Sequence, residues 1–580
     1  MPSQKPQTAQ KKSPGIMSLL KPYRGLVLLL LLFALLSNSI NLLLPKIIAN
    51  GIDAFTHHTF DVRHIVVQFS GAIALIFIFA YVQSIIQTYA SERVARDLRT
   101  RLADKISRQS HAFIEKANPS KLLTNLTADT DSIKMFISQA IVSIASSVFI
   151  IIGASILLLT IDWKLALTVI AIIPIIGGTF FYVLKKVRAL FIESRQVIDW
   201  LNKIINESIL GAALIRVINS QQLEINKFLQ ANTKARDFGL SILNLFAGLI
   251  PVITFTSNLS MLTILMLGGH YVINGSMTLG DFAAFNSYLS MLIFPILVIG
   301  FMSNIIAQAT ASYTRITMIL NAADMQDNGT ITDEIKGDIE LKDITLKYDQ
   351  KPVLRSISLS VKAGSKIAII GPTAAGKTQL LYLLTGLIDA DSGSVEFDGK
   401  PIGDYNSEVF HSQVGFVFQD SIIFNMSIRE NIAFSDTVTN GSLEKAIETA
   451  ELKDFIDSLP GGLSTVVSER GSSLSGGQKQ RIMLARALAV NPKVLLLDDF
   501  TARVDASTEK KILANVQRNY PNLTLLSVTQ KIAAIEHYDQ VILLMQGEVI
   551  AHGSHKYLMD TSPEYVQIFN SQQSTSNYEL

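Results

Sequence analysis

Gly371-Pro372-Thr373-Ala374-Ala375-Gly376-Lys377-Thr378 fits G-x-x-x-x-G-K-[ST], and it stands between a β-rich run at 366–370 and a helical stretch that opens at Gln379. That context separates a working phosphate loop from a chance match in a coil. A phosphate needs converging N–H donors, and a glycine-rich turn feeding a helix supplies them along with the positive end of the helix dipole. Lys377 then reaches the β- and γ-phosphates and Thr378 the Mg²⁺ ion. Further along, Val494-Leu-Leu-Leu-Asp498-Asp499 reads as a buried strand ending in two carboxylates, which suits holding Mg²⁺ and orienting an attacking water. Without the phosphate loop it would be a solvated acidic turn.

Outward from these two stretches, β-rich runs at 339–348, 366–370, 414–418, 494–497, 524–528 and 541–544 alternate with helical segments. Residues 337–580 therefore form an α/β domain, preceded by a polar linker, 323–336, that contains the turn signal Asp327-Asn328-Gly329. The half before the linker is different. Six apolar runs, 26–44, 65–86, 137–159, 165–184, 240–267 and 282–301, each approach or exceed the roughly 20 helical residues that cross a hydrocarbon core. Residues 25–322 are read as an all-α membrane domain and 1–24 as a tail.

Composition agrees with that division. Charged residues make up 17% of the 580, against roughly 25% in soluble domains. The absence of cysteine removes disulfides, Cys-ligated zinc, iron–sulfur clusters and c-type haem. A formal charge of +2 gives no reason to expect nucleic acid as a partner. Basic residues gather in the tail (Lys5, Lys11, Lys12, Lys21, Arg24) and in two long connections, from Arg93 to Lys134 and from Lys185 to Arg236. The other connections hold two at most, Lys46 with Arg63 in one and Lys164 in another, so both termini are expected on the cytoplasmic side of a multi-pass protein in the cytoplasmic (inner) membrane. Structureless loops as long as the two basic connections are rare, so they read as helical hairpins, broken at Asn118-Pro119-Ser120 and near Gly211.

Leu474-Ser475-Gly476-Gly477-Gln478, followed by Lys479-Gln480-Arg481, is another short glycine segment opening a helix. Alone it could be a helix cap. Between the phosphate loop and the Asp pair it resembles the signature of the ATP-binding cassette, and the whole chain resembles an ABC exporter half-transporter, with six membrane helices followed by one nucleotide-binding domain. The resemblance implies ATP and Mg²⁺. It places phosphate contacts on Gly371, Pro372, Thr373, Ala374, Ala375, Gly376, Lys377, Thr378 and Gln379, adenine stacking on Tyr348, and the metal on Thr378, Gln419 and Asp498. Asp505 matches the D-loop aspartate, and Ser468-Glu469-Arg470-Gly471 looks like the segment that meets the membrane domain. The hairpin tips are expected at 122–131 and 211–217. The family works as a dimer, so Ser475, Gly476, Gly477 and Gln478 would serve an ATP held by the partner.

The departures from the family carry the functional expectation. Asp499 stands where the general base is normally glutamate, Gln530 where the switch residue is normally histidine, and Ala374 where the loop commonly has glycine. Asp499 and Gln530 fall in one composite site, which is expected to bind ATP and split it slowly, while the intact signature serves the other. This pattern resembles the degenerate subunit of bacterial heterodimeric multidrug exporters. The expected partner is a different half-transporter with the catalytic Glu and switch His restored; a homodimer with a slow Asp499 base is the alternative. No Asp, Glu, Lys or Arg lies deep in a membrane run, and Asn286, Tyr288, Met291 and Phe294 are candidate lining. Hydrophobic or amphipathic small molecules fit best as cargo, then lipid. An ATP-gated regulatory role is the other class of reading.

Overall fold

The computed structural model describes residues 15–58, 60–324, 329–348, 351–468, 471 and 473–576. Lys5, Lys11, Lys12, Asp327-Asn328 and Glu469-Arg470 lie outside them. The chain divides into two compact units, Met1–Ser107 with Ala117–Ala323, and Arg108–Lys116 with Asp324–Leu580.

In the first unit, helices long and apolar enough to cross a membrane occupy Ile16–Thr56, Val62–Ser107, Pro119–Ile161, Trp163–Leu210, Gln221–Ile273 and Leu279–Leu320. Each contains one of the six apolar runs. Leu28, Phe77, Ile152, Phe181, Ile250 and Leu265 are exposed on them, an apolar surface that lipid or another apolar face must cover. The fourth is interrupted at Ala171, where Trp163–Ile170 ends and Ile172–Leu210 begins. Pro174 has no N–H to offer the carbonyl of Ile170, four residues back, which accounts for the break. Pro251 and Pro295 sit inside uninterrupted helices.

The first hairpin turns earlier than expected. The outgoing helix stops at Ser107, a short helix His111–Ala117 forms the tip, and Pro119 is the first residue of the return arm. Asn118 adopts φ +66° and caps that arm by accepting the Ser120 N–H at 3.0 Å. A proline at the first position starts a helix, so residues 122–131 belong to the returning helix and not to the tip. The second tip is where it was expected: Ile172–Leu210, then Gly211, the short helix Ala212–Val217, and Gln221–Thr263.

Among the polar contacts that fix the helices of this unit to one another are two sets that involve the sixth span. Asp129 on the third span is buried and accepts from Arg315 Nε and from the Ser312 hydroxyl, both at 2.8 Å, on the sixth. At the other end of the first and sixth spans, Lys46 pairs with Asp281 and the Gly280 N–H donates to Asp53, both at 2.8 Å. Tyr288 is corrected as a lining candidate: it is fully buried, and its hydroxyl donates to the Leu42 carbonyl at 3.0 Å.

The second unit is built on two sheets from ten strands: β1 Ile339–Tyr348, β2 Lys351–Val361, β3 Lys366–Ile370, β4 Ser392–Phe397, β5 Lys400–Pro401, β6 Val414–Val417, β7 Val494–Asp498, β8 Thr524–Val528, β9 Gln540–Met545 and β10 Glu548–Gly553. One sheet has the order β10-β9-β3-β8-β7-β6 and the other β2-β1-β4-β5. In the larger sheet β9, β3, β8, β7 and β6 are parallel, with only β10 antiparallel. Parallel strands are covered on both faces and read as unbroken apolar runs, as Val494-Leu-Leu-Leu and Thr524-Leu-Leu do, every one of them buried. Their carboxyl ends carry the phosphate loop and the segments that follow β7 and β8.

Candidate nucleotide site

The phosphate loop joins β3 to the helix Lys377–Leu384, as the sequence predicts. Gly371 and Gly376 hold φ +151° and +98°, and a side chain at Gly371 would meet the Leu544 carbonyl at 2.0 Å. Ala374 lies in the same left-handed region, at φ +65°, although it carries a Cβ. Pro372, Thr373 and Ala374 are exposed, whereas Ala375, Gly376 and Lys377 are buried. Lys377 Nζ donates to the carbonyls of Gly371 and Pro372 at 2.8 Å each. Burial lowers its pKa, and the carboxylates of Asp499 and Asp498 partly restore it.

Asp498 ends β7 with 2% of its surface exposed, and its Oδ2 is buried without a hydrogen-bond partner. Burial raises its pKa, opposed by the Thr378 hydroxyl and by Lys377. An orphaned carboxylate oxygen beside a hydroxyl is a donor set that suits a hard divalent cation. Asp499 follows at φ +49°, with its N–H donating to the Val528 carbonyl at 3.0 Å. Its pKa is raised by burial and pulled back by Lys377 and Lys531.

Lys531 lies one residue past Gln530 at the end of β8. Its Nζ donates to the Thr501 carbonyl at 3.2 Å and pairs at 3.5 Å with Glu509, a buried carboxylate. The structure thus gathers Lys377, Thr378, Asp498, Asp499 and Lys531 at the carboxyl ends of β3, β7 and β8. Tyr348 joins through its hydroxyl, which donates to Gln379 Oε1 at 2.9 Å. Gln419, exposed after β6, accepts at its carbonyl from Gln480 at 3.3 Å.

The remaining candidates have local partners. Ser475 and Gln478 form a reciprocal capping box that opens the helix Gly476–Ala489, with Gly476 and Gly477 lying against Arg503. Asp505 caps Ala506–Asn519, and hydrogen bonds from the Thr508 N–H and the Ser507 hydroxyl, at 2.9 and 2.7 Å, hold its carboxyl well below the usual range.

Residues 27–296 match the family described as the ABC transporter transmembrane region and residues 354–502 that described as ABC transporter. The uncharacterized ABC transporter ATP-binding protein YfiB of Bacillus subtilis (strain 168) is 33% identical over 565 residues, covering 96% of this chain and 98% of that one. The chain belongs to the ABC transporter family. Among other relatives of this transporter are the ATP-dependent lipid A-core flippase of Syntrophus aciditrophicus (strain SB), 30% identical and covering 85% of this chain and 83% of that one, and the putative multidrug export ATP-binding/permease protein YgaD of Bacillus subtilis (strain 168), 29% identical and covering 96% and 98%. The solved structure of a bacterial Atm1-family ABC exporter with ATP bound superposes with a TM-score of 0.80 at 24% identity, covering 95% of this chain and 99% of that one, so the two share the fold. The ABC transporter is therefore a multi-pass membrane protein with an ATP-binding domain, an ATPase-coupled transporter.

Sequence reasoning missed several residues around the ABC transporter's nucleotide site. His111, from the first hairpin tip, packs edge-on against Tyr382 of the phosphate-loop helix, with ring centroids 5.6 Å apart. Glu115 of the same tip helps to raise the pKa of Tyr348, after burial. Lys531 and Glu509 carry a signal in hindsight: a cation beside the switch position, and an acid one turn into the helix that follows the D-loop.

Proposed function

We propose that this chain is the slow-site subunit of a heterodimeric ABC exporter for hydrophobic or amphipathic small molecules. The observation that carries the reading is the pairing of Asp499 with Gln530 around one phosphate loop. Gly371 to Gln379 hold the ATP phosphates, Tyr348 stacks on adenine with its hydroxyl fixed by Gln379, and Asp498, Thr378 and Gln419 would hold Mg²⁺. When bound, that ion neutralises charge on the phosphate oxygens.

Asp499 then has to activate water. Its carboxylate is shorter than that of glutamate by one methylene, about 1.5 Å, where catalytic geometry tolerates about 0.5 Å. General-base assistance worth roughly 10² to 10⁴ in rate is largely forfeited. Gln530 can donate a hydrogen bond to a γ-phosphate but cannot become a cation beside it. The site grips ATP and turns it over slowly. Asp505 holds the D-loop from its cap position, and Ser475, Gly476, Gly477 and Gln478 are lent to the ATP of a second half-transporter that carries the glutamate and the histidine.

In this reading residues 1–24 form a cytoplasmic tail, 25–322 the membrane domain, 323–336 the linker and 337–580 the nucleotide-binding domain. Both termini are on the cytoplasmic side of the inner membrane, as the basic connections require. The relative named for multidrug export and the uncharged membrane runs support an apolar cargo; the relative named as a lipid A-core flippase supports lipid as the second reading. Cargo flux and ATP turnover measured in the same vesicles distinguish pumping from ATP-gated flow. The direct test of the slow site is Asp499→Glu combined with Gln530→His. Phosphate release by the assembled complex should rise, and an unchanged rate would count against the proposal.

A further inference from the structure

The helix Pro563–Ser576 presents Tyr565, Ile568, Phe569 and Gln572 at the i, i+3, i+4, i+7 spacing of one helical face. Tyr565 is fully buried and hydrogen-bonded to His555 at 2.7 Å, and Ile568 and Phe569 pack on the core beneath the larger sheet. The next position on that face is polar. Gln572 lies over the segment that follows β8, where its Nε2 donates to the Gln530 carbonyl and its Oε1 accepts the Ile532 N–H at 2.9 Å. One amide thus spans the backbone on both sides of Lys531. Within the segment, the Thr529 hydroxyl accepts the Lys531 N–H at 3.1 Å, and Ile532 and Ile535 are buried in the same core as Tyr565.

We infer that Gln572 is a positioning residue: the C-terminal helix holds the backbone of the switch residue so that the Gln530 side chain meets a bound γ-phosphate. The chemistry suits an amide. Only a group with a donor and an acceptor on one carbon can satisfy a carbonyl and an N–H two residues apart at once. Gln530 itself is exposed, and Gln572 tethers its carbonyl. The inference rests on the reading of residue 530 as the γ-phosphate contact, but not on whether the site is slow.

The test compares binding of two Mg²⁺-nucleotides, AMP-PNP and ADP, to the full-length chain in lipid nanodiscs, because only the first has a γ-phosphate and neither is hydrolysed. Gln572→Met, of similar length but without donor or strong acceptor, should weaken AMP-PNP on the order of tenfold and ADP less than about twofold, as the loss of two ordinary hydrogen bonds would. Gln572→Glu adds a readout that a merely structural role would not move. At pH 8 its carboxylate can still accept from Ile532 but repels the Gln530 carbonyl; as the pH falls toward the carboxylate range the protonated carboxyl donates and accepts as the amide does. Its deficit for AMP-PNP should therefore shrink as the pH falls. Wild type measured over the same range divides out any effect of pH that comes through the ionisable neighbours Lys531, Glu509, Asp499, Glu536 and His555. Equal weakening of both nucleotides, no weakening, or a pH-independent deficit in the glutamate variant would overturn the inference. The slow-site reading is judged apart from it, by phosphate release from the Asp499→Glu, Gln530→His protein, so either can fail while the other stands.

Discussion

Ala374 holds φ +65° on a side chain that disfavours it. A left-handed conformation costs an L-residue about 1 to 2 kcal/mol, and replacing it with glycine restores about 0.5 to 1 kcal/mol of unfolded-chain entropy to the opposing side. Relief wins by a small margin, so Ala374→Gly should stabilise the protein by roughly 0.5 to 1 kcal/mol, read as a rise in melting temperature. The substitution was visible in the sequence as a departure from the family; its strain was not, because no residue pattern reports φ. Asp498 shows a second residue-scale effect. Burial raises its pKa, so the folded chain binds that proton more tightly than the unfolded chain, and stability falls as pH rises from the unfolded value through the raised one. Asp498→Asn should therefore stabilise the nucleotide-free protein at pH 8, by on the order of 1 kcal/mol, because it removes a buried charge although the amide that replaces it is still a polar group to be satisfied. The gain should shrink as the pH is lowered toward the carboxylate range, while Mg²⁺-dependent ATP binding is lost at any pH.

At the scale of elements, what could be read depended on how buried an element is. The strands β3, β6, β7, β8 and β9 are short apolar runs, and all five were legible within about two residues; β1 was legible in full. The others, β2, β4, β5 and β10, were not, because an antiparallel strand with one wet face, such as Lys351-Pro-Val-Leu-Arg-Ser-Ile-Ser, mixes polar and apolar residues and here carries a proline. The first hairpin shows the same limit. Asn118-Pro119 was readable as a break, but whether it ends one helix or begins the next depends on the φ of Asn118. That residue has two roles at once, a left-handed turn and a side-chain cap on Ser120. Asn118→Ala loses both and should destabilise by about 2 kcal/mol, whereas Asn118→Gly keeps the turn and should cost only a few tenths. Equal losses in thermal melts of the two variants would remove the left-handed residue from the account. The clasp of Asp129 with Arg315 and Ser312 was not legible either, since its members are 186 and 183 positions apart in sequence.

For the whole molecule, the slow-site reading makes one demand that no single chain can meet. The residues that hold this chain's own ATP and those lent to the other ATP lie in separate segments: Lys377 in the phosphate loop, Gly477 at the start of a helix that lies against Arg503. In a homodimer every site uses both segments, so damaging either should stop turnover to the same extent. In an asymmetric pair the consequences divide. Lys377→Ala empties the site that was already slow and should leave phosphate release within about tenfold of wild type, because general-base help worth 10² to 10⁴ was missing there from the start. Gly477→Glu places a carboxylate where the partner's γ-phosphate must approach, and should lower release by 10² or more, the scale on which a single transition-state contact acts. Both variants would be made in this chain alone, with whichever half-transporter co-purifies left wild type, and ATP consumption followed at saturating nucleotide. Two equally dead proteins would return the chain to a homodimer with Asp499 as its working base. A crippled signature beside a nearly active phosphate-loop variant would establish that its glycines serve a hydrolysis its own carboxylate cannot support.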